Sequence, residues 1–378
     1  MASEQMRSQN FRVQCYYVRL SHLFHLISFV IGISLGTVAC LYLKSFTTTL
    51  SATITMYHVS SSSSRPLQEL ITSPPRPRPP PCLVHNMSDE ELLAKATNSA
   101  GEASPQGEHS PKLAFLFLTH GPLPFSPLWE TFFRGSTGLY SIYVHPHPSH
   151  IDSWPQTSPF YGTRIPSKVV QWGSSTMVDA ERRLLASALL DPSNQRFVLL
   201  SESCVPLFDF ATTYRYLMDS SRSFLSSYDD PRSAGRGRYN PRMQPAINAT
   251  HWRKGSQWFE LDRDLALRIV SDRKYYKVFE EHCRRRCYMD EHYIPTLVNM
   301  LWAERSWNRS VTWVDWSRSG AHPRRFGRAD VTDGLLNRIK HGSRCIRDGN
   351  VTSVCYLFAR KFSPDALEPL LKAQNSSV

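Results

Sequence analysis

Apolar positions along this chain change their spacing several times, and each change marks a different kind of segment. Residues 23–43 form an uncharged apolar run of 21 residues. At 1.5 Å per helical residue such a run reaches roughly 30 Å, the depth of a bilayer's hydrocarbon core, so it predicts a transmembrane helix. Arg7, Arg12 and Arg19 precede it and Lys44 alone follows closely, which predicts a cytoplasmic tail over residues 1–22 and a lumenal remainder. A cleaved signal peptide would have a shorter apolar core, about 7–15 residues. Residues 44–111 are dense in Ser, Thr and Pro, with a proline tract over 74–81, and predict a disordered, extended stem.

From residue 112 to 378 the pattern is that of one packed α/β domain. Residues 113–118 are a short continuous apolar run, which reads as a strand buried on both faces; Thr119-His120-Gly121-Pro122 breaks it, and a helix follows around Trp129. A second strand is expected over 139–144. After the turn Gly173-Ser174-Ser175 comes a helix to about Leu190, with Ala180, Leu184 and Ala188 on its apolar face and Ser174 or Ser175 as its cap. Residues 197–200 read as a third buried strand. The succession βαβαβ predicts a mainly parallel central sheet covered by helices, with a nucleotide at its carboxyl edge. Residues 229–242, rich in Gly, Arg and Pro, read as a long loop of the kind that is either functional or disordered.

Charge narrows the partners. The chain carries a formal +12, and residues 112–378 hold an excess of 11 basic over acidic side chains, which favours anionic ligands. A lumenal domain meets nucleotide sugars and acidic polysaccharides rather than nucleic acid. Five Asn-x-Ser/Thr acceptor sites, Asn86, Asn248, Asn308, Asn350 and Asn375, all lie beyond the apolar run, in agreement with that topology. Cys15 and Cys40 precede the lumenal part. Cys82, Cys204, Cys283, Cys287, Cys345 and Cys355 face an oxidising compartment, where an even number suggests bridges of open pairing. Arg284, Arg285 and Arg286 would repel a cation between Cys283 and Cys287, so that pair reads as a disulfide rather than half a zinc site.

Neither G-x-G-x-x-G nor G-x-x-x-x-G-K-[ST] occurs, which argues against dinucleotide-binding dehydrogenases and P-loop enzymes. The third strand runs into Ser201-Glu202-Ser203 where a metal-binding Asp-x-Asp pair would stand. Asp262-Arg263-Asp264 matches that spacing but immediately precedes the helical-looking residues 265–270, so it reads as helix capping. His145 and His147 alternate with Pro146 and Pro148, a turn rather than a ligand pair.

Five blocks, residues 139–145, 197–206, 252–259, 289–293 and 357–362, together resemble the plant branch of the core-2/I-branching β-1,6-N-acetylglucosaminyltransferases, which includes brittle-culm type members. The resemblance implies a GT-A-like catalytic domain. It implies an inverting, metal-independent enzyme that needs no cofactor and moves N-acetylglucosamine or glucuronic acid from a UDP-sugar to a glycan hydroxyl. The setting it implies is a Golgi single-pass type II membrane protein. Glu291 falls at the family's general base, with Asp290 read as the cap that fixes it. Lys361 matches the phosphate-contacting lysine, Arg360 adjoins it, and Arg338, Arg344 and Arg347 are candidates for a second basic contact upstream. Trp313 and Asp315, with Glu202, are expected to meet the acceptor through an aromatic face and carboxylates. Two other readings are a glycan-binding scaffold that kept the fold without turnover, and a transferase that depends on a metal.

Overall fold

The computed structural model describes residues 83, 85–98, 110–151, 153–284, 286–318 and 320–375. The expected cytoplasmic tail, the apolar run at 23–43, the proline tract and Cys82 lie outside these residues. Among the described residues no helix is long and apolar enough to cross a membrane.

In chain order the elements are α1 (Asp89–Asn98), β1 (Lys112–Leu118), α2 (Ser126–Phe133), β2 (Tyr140–His145), α3 (Ser175–Leu189), β3 (Asn194–Ser201), β4 (Val205–Pro206), α4 (Phe210–Met218) and β5 (Glu260–Asp262). They continue with α5 (Arg263–Ser271), α6 (Lys274–His282), α7 (Met289–Leu301), β6 (Thr312–Val314), α8 (Asp333–His341), β7 (Cys345–Arg347), β8 (Asn350–Thr352), β9 (Phe358–Arg360) and α9 (Leu367–Asn375). The fold is mixed α/β, with a central sheet in the order β2-β1-β3-β5 whose first three strands are parallel and whose fourth is antiparallel. β1 shows why the sequence folds this way. Its side chains alternate between two cores: Leu113, Phe115 and Phe117 pack with α2, while Ala114, Leu116 and Leu118 pack with α3. A strand apolar at every position can only sit between two covering layers. On the α2 side the cover is aromatic, with Phe115 to Phe133 at 4.9 Å and Phe117 to Trp129 at 5.3 Å.

A second sheet, β4-β9-β6, pairs β9 parallel to β6 and antiparallel to β4. It ties the end of the chain back to the turn after β3. The hairpin β7-β8 is closed by the Cys345–Cys355 disulfide, and Cys283–Cys287 closes the turn after α6. Cys204 departs from the expected bridging: it is a buried free thiol whose sulfur accepts from the Ser201 amide at 3.2 Å.

Two local expectations are corrected. Ser174 does occupy the cap position of α3, but its hydroxyl donates to the Gln171 carbonyl at 2.8 Å instead of accepting from the first turn. The stem, expected without helix to residue 111, contains α1. Its start is a capping box, in which the Ser88 hydroxyl accepts from the Glu91 amide at 3.2 Å and Glu91 Oε2 accepts from the Ser88 amide at 2.7 Å. Leu92 and Ala96 of α1 are fully buried, and Asp89 takes a bidentate contact from Arg183 at 2.8 and 2.6 Å plus Lys168 at 2.7 Å. The proline tract ends at residue 81, so nothing opposes a helix here.

Leu92→Ala in the full-length protein should cost about 2–5 kcal/mol, read as a lower urea midpoint at unchanged slope. A midpoint equal to wild type would mean that α1 is not docked in solution.

Candidate active site

Glu291 lies in the first turn of α7, with its carboxylate between two cations. Arg238 Nη1 donates to Glu291 Oε2 at 2.6 Å, and Lys254 Nζ forms an ion pair with the same oxygen. The Glu291 side chain is about a quarter exposed, so the carboxylate is reachable from solvent although both cations flank it. Burial alone would raise its pKa, but Lys254 and Arg238 outweigh it and hold the group below the usual glutamate range. The N-terminal end of α7 adds positive potential. The carboxylate is therefore ionised and ready to accept a proton.

Each cation is delivered by a local feature. The loop over residues 229–242 is ordered by its own ion pairs, Asp229 with Arg236 and Asp230 with Arg232 at 2.8 Å, and it sets the Arg238 guanidinium 4.2 Å above the Tyr288 ring. Trp172 meets the Tyr288 ring edge-on at 4.9 Å and is half exposed. Lys254 is held by paired backbone bonds with Tyr228 at 2.8 and 2.9 Å. The next residue, Gly255, donates its amide to the Glu291 carbonyl at 2.8 Å. A Cβ at Gly255 would fall 2.1 Å from the Ser226 carbonyl oxygen and 2.6 Å from Pro295, so only glycine allows this approach to α7.

The same segment reaches the second cluster of charge. Trp258 lies under Arg360, whose guanidinium carbon is 4.0 Å from the ring centroid. Arg360 ends β9, and its buried Nε has no hydrogen-bond partner. Lys361 follows it, half buried, beside the turn after β3, where the Phe362 amide donates to the Ser203 carbonyl at 3.1 Å. Burial, Arg360 and Arg325 hold the Lys361 amine below the ordinary lysine range, against the pull of Glu202. Arg360, Lys361, Arg325 and Glu202 thus gather at the carboxyl end of β3. Of the upstream arginines, Arg338 is exposed on α8, Arg344 is exposed beside the β7-β8 hairpin, and Arg347 lies 4.2 Å over the Tyr216 ring. Trp313 packs against Phe326 at 5.6 Å. Asp315 falls just past the end of β6 and accepts from the Ser317 amide at 2.8 Å, in a turn rather than in the strand with Trp313. Asn86, Asn248, Asn308 and Asn350 are exposed.

The expected capping roles divide. Asp262 does cap α5, accepting from the Leu265 amide at 2.9 Å, and Arg305 bridges Asp262 and Asp264 at 3.1 and 3.0 Å. Asp290 does not cap α7. Tyr288 holds the cap position in the left-handed region at φ 55°, so Asp290 sits inside the first turn, buried, with Oδ1 unpartnered. Burial and the neighbouring Glu291 charge push its pKa up to about 6. His292 beyond it is stacked 4.5 Å from Trp252, donates from Nδ1 to the Arg253 carbonyl at 2.8 Å, and is held neutral with a pKa lowered to about 4 by burial. Arg238, Lys254 and Arg325 were absent from the sequence expectations. Lys254 falls within the block 252–259, and Arg238 within the long loop, but neither position is singled out by spacing.

Asp290 carries a pH signature. Its folded pKa of about 6 lies above the ordinary 3.8, so the folded state keeps a proton that the unfolded state releases, and stability falls as the pH rises from about 4 to 6. Asp290→Asn should remove that loss, raising stability at pH about 7.5 by up to about 3 kcal/mol and converging on wild type near pH 4. A gap between the two melting curves that does not change with pH would contradict this.

Residues 113–340 match the family model of the Core-2/I-Branching enzymes. That span includes Glu291, Arg238 and Lys254 and stops short of Arg360 and Lys361. Glycosyltransferase BC10 of Oryza sativa subsp. japonica is 38% identical over 308 residues, covering 69% of this chain and 76% of the relative. The chain belongs to the core-2/I-branching family and is a glycosyltransferase.

Proposed function

We propose that this protein transfers a sugar from a UDP-sugar to a glycan hydroxyl with inversion at the anomeric carbon and without a metal ion. The observation that carries the reading is the ionised, partly exposed Glu291 carboxylate between Arg238 and Lys254. In the proposed step the acceptor oxygen bonds to the anomeric carbon as the bond from that carbon to the diphosphate breaks. The hydroxyl proton passes to Glu291, and the electron pair leaves with UDP. Lys361, Arg360 and Arg325 supply fixed positive charge for the departing diphosphate, the work a divalent cation performs elsewhere. The donor sugar is N-acetylglucosamine or glucuronic acid, and the acceptor is a glycoprotein glycan or a cell-wall polysaccharide. Trp313, Asp315 and Glu202 are the acceptor contacts in this reading. The apolar run at residues 23–43 and the acceptor asparagines support a Golgi type II membrane setting with the catalytic part lumenal.

The test is release of UDP from a panel of UDP-sugars by the full-length protein in detergent, with plant glycan extracts as acceptor. Glu291→Gln should reduce kcat by about 10²–10⁴-fold with the fold retained, the range of general base catalysis. A chelator should leave the wild-type rate unchanged. Normal turnover by Glu291→Gln would sink the assignment of the base. Glycan binding with no UDP release from any donor would favour a non-catalytic scaffold.

A further inference from the structure

The strand β6 has two faces, and the proposed reaction uses one of them. Trp313 points toward Phe326, whereas Thr312 and Val314 line a separate cavity of about 420 Å³ on the other face, a volume typical of small-ligand sites. The cavity lies against β6 and the β7-β8 hairpin. Its polar surface is made of hydroxyls, the Asn308 carboxamide and guanidinium groups. Ser226, Ser256, Ser310, Thr312 and Ser343 contribute hydroxyls, Arg309 and Arg344 the guanidinium groups, and among the described residues no carboxylate lines it.

The two arginines differ in a useful way. Arg309 is fixed: Nη1 donates to the Cys355 carbonyl and Nη2 to the Tyr216 hydroxyl, each at 2.7 Å, and its buried Nε has no partner. Arg344 is exposed and, among the described residues, its side chain makes no hydrogen bond or ion pair. Trp316 stands at the opening with 55% of its surface exposed, and Tyr356 adds a second ring. An exposed indole with adjacent hydroxyls is suited to the C-H face of a pyranose, and two guanidinium groups without a neighbouring acid are suited to a carboxylate. The Cys345–Cys355 bridge and the paired Ser256 amide and Ser226 hydroxyl, at 2.7 Å, hold the rim in place.

We infer that this cavity binds an acidic saccharide, a chain carrying uronate carboxylates, with Trp316 stacking on a sugar ring and Arg344 and Arg309 meeting the carboxylate. Ser256 adjoins Gly255, which bonds to the Glu291 backbone, so a polysaccharide held here lies along the segment that carries Lys254. The inference rests on glycan recognition by the proposed transferase, but its test does not need turnover.

The full-length protein in detergent is titrated by calorimetry with trigalacturonic acid and with maltotriose as the neutral control. Trigalacturonate should bind at least about tenfold tighter than maltotriose, more weakly at high salt, and at least about tenfold more weakly to Arg344→Gln, the size expected for a charge-assisted hydrogen bond. Trp316→Ala should weaken both sugars. Both side chains are exposed, so circular dichroism should show the wild-type fold. Glu291→Gln should bind as wild type does, which separates this cavity from failure of the proposed catalysis. Equal affinity for the two sugars, no change in Arg344→Gln, or displacement of trigalacturonate by UDP would overturn the inference. So would binding that appears only in Asn308→Gln, since the cavity would then belong to the protein's own glycan at its lip.

Discussion

The site depends on one carboxylate kept charged in a half-buried place. An ionised glutamate taken out of water without partners would pick up a proton, because desolvation penalises the charged form. Here Arg238 and Lys254 reverse that penalty, and each is supplied by a segment remote in sequence from Glu291. The arrangement of the surrounding chain can be read as the means of holding this triplet. Gly255 lets the Lys254 segment lie against α7, the ion-paired loop brings Arg238 over Tyr288, and Pro295 inside α7 forms part of the surface that Gly255 meets.

The charge balance beneath the triplet has a second layer. Asp290 is buried with an unpartnered oxygen, and Glu181 of α3 is wholly buried with only Gln257 as hydrogen-bond partner, its pKa raised by burial and then by Asp290. Glu181 resists ionisation and adds little negative charge behind Glu291, whereas Asp290 holds its proton only below about pH 6 and above it shares the field of Arg238 and Lys254 with Glu291. The segment 252–259 connects this region to Arg360 through Trp258, so the proposed base and the cations proposed for the diphosphate share one structural support.

Much of the fold was legible in the chain because its strands are short, apolar at every position, and separated by clear breaks. The strand read over 113–118 extends over Lys112–Leu118, and the helix read to about Leu190 ends at Leu189. The helix α1 escaped because a dense proline composition was extended over residues where proline no longer occurs, and the Ser88 to Glu91 capping box was passed over. Asp290 was read as a cap from the habit of acidic residues at helix starts; a left-handed Tyr288 took that position, which spacing does not reveal. The candidate site was only half legible. Glu291 and Lys361 entered through resemblance, whereas Arg238 lies 53 residues from its partner and is one of several arginines in its loop, so only the folded path selects it.

The most direct measurement is the acid limb of kcat/KM against pH for wild type, Lys254→Met and Arg238→Met. The account predicts that wild type keeps its rate down to below about pH 4.3, the ordinary glutamate value, and that each substitution moves the limb to higher pH as the freed carboxylate becomes easier to protonate. An acid limb that stays in place in both variants would show that the carboxylate between these cations is not the group that takes the proton.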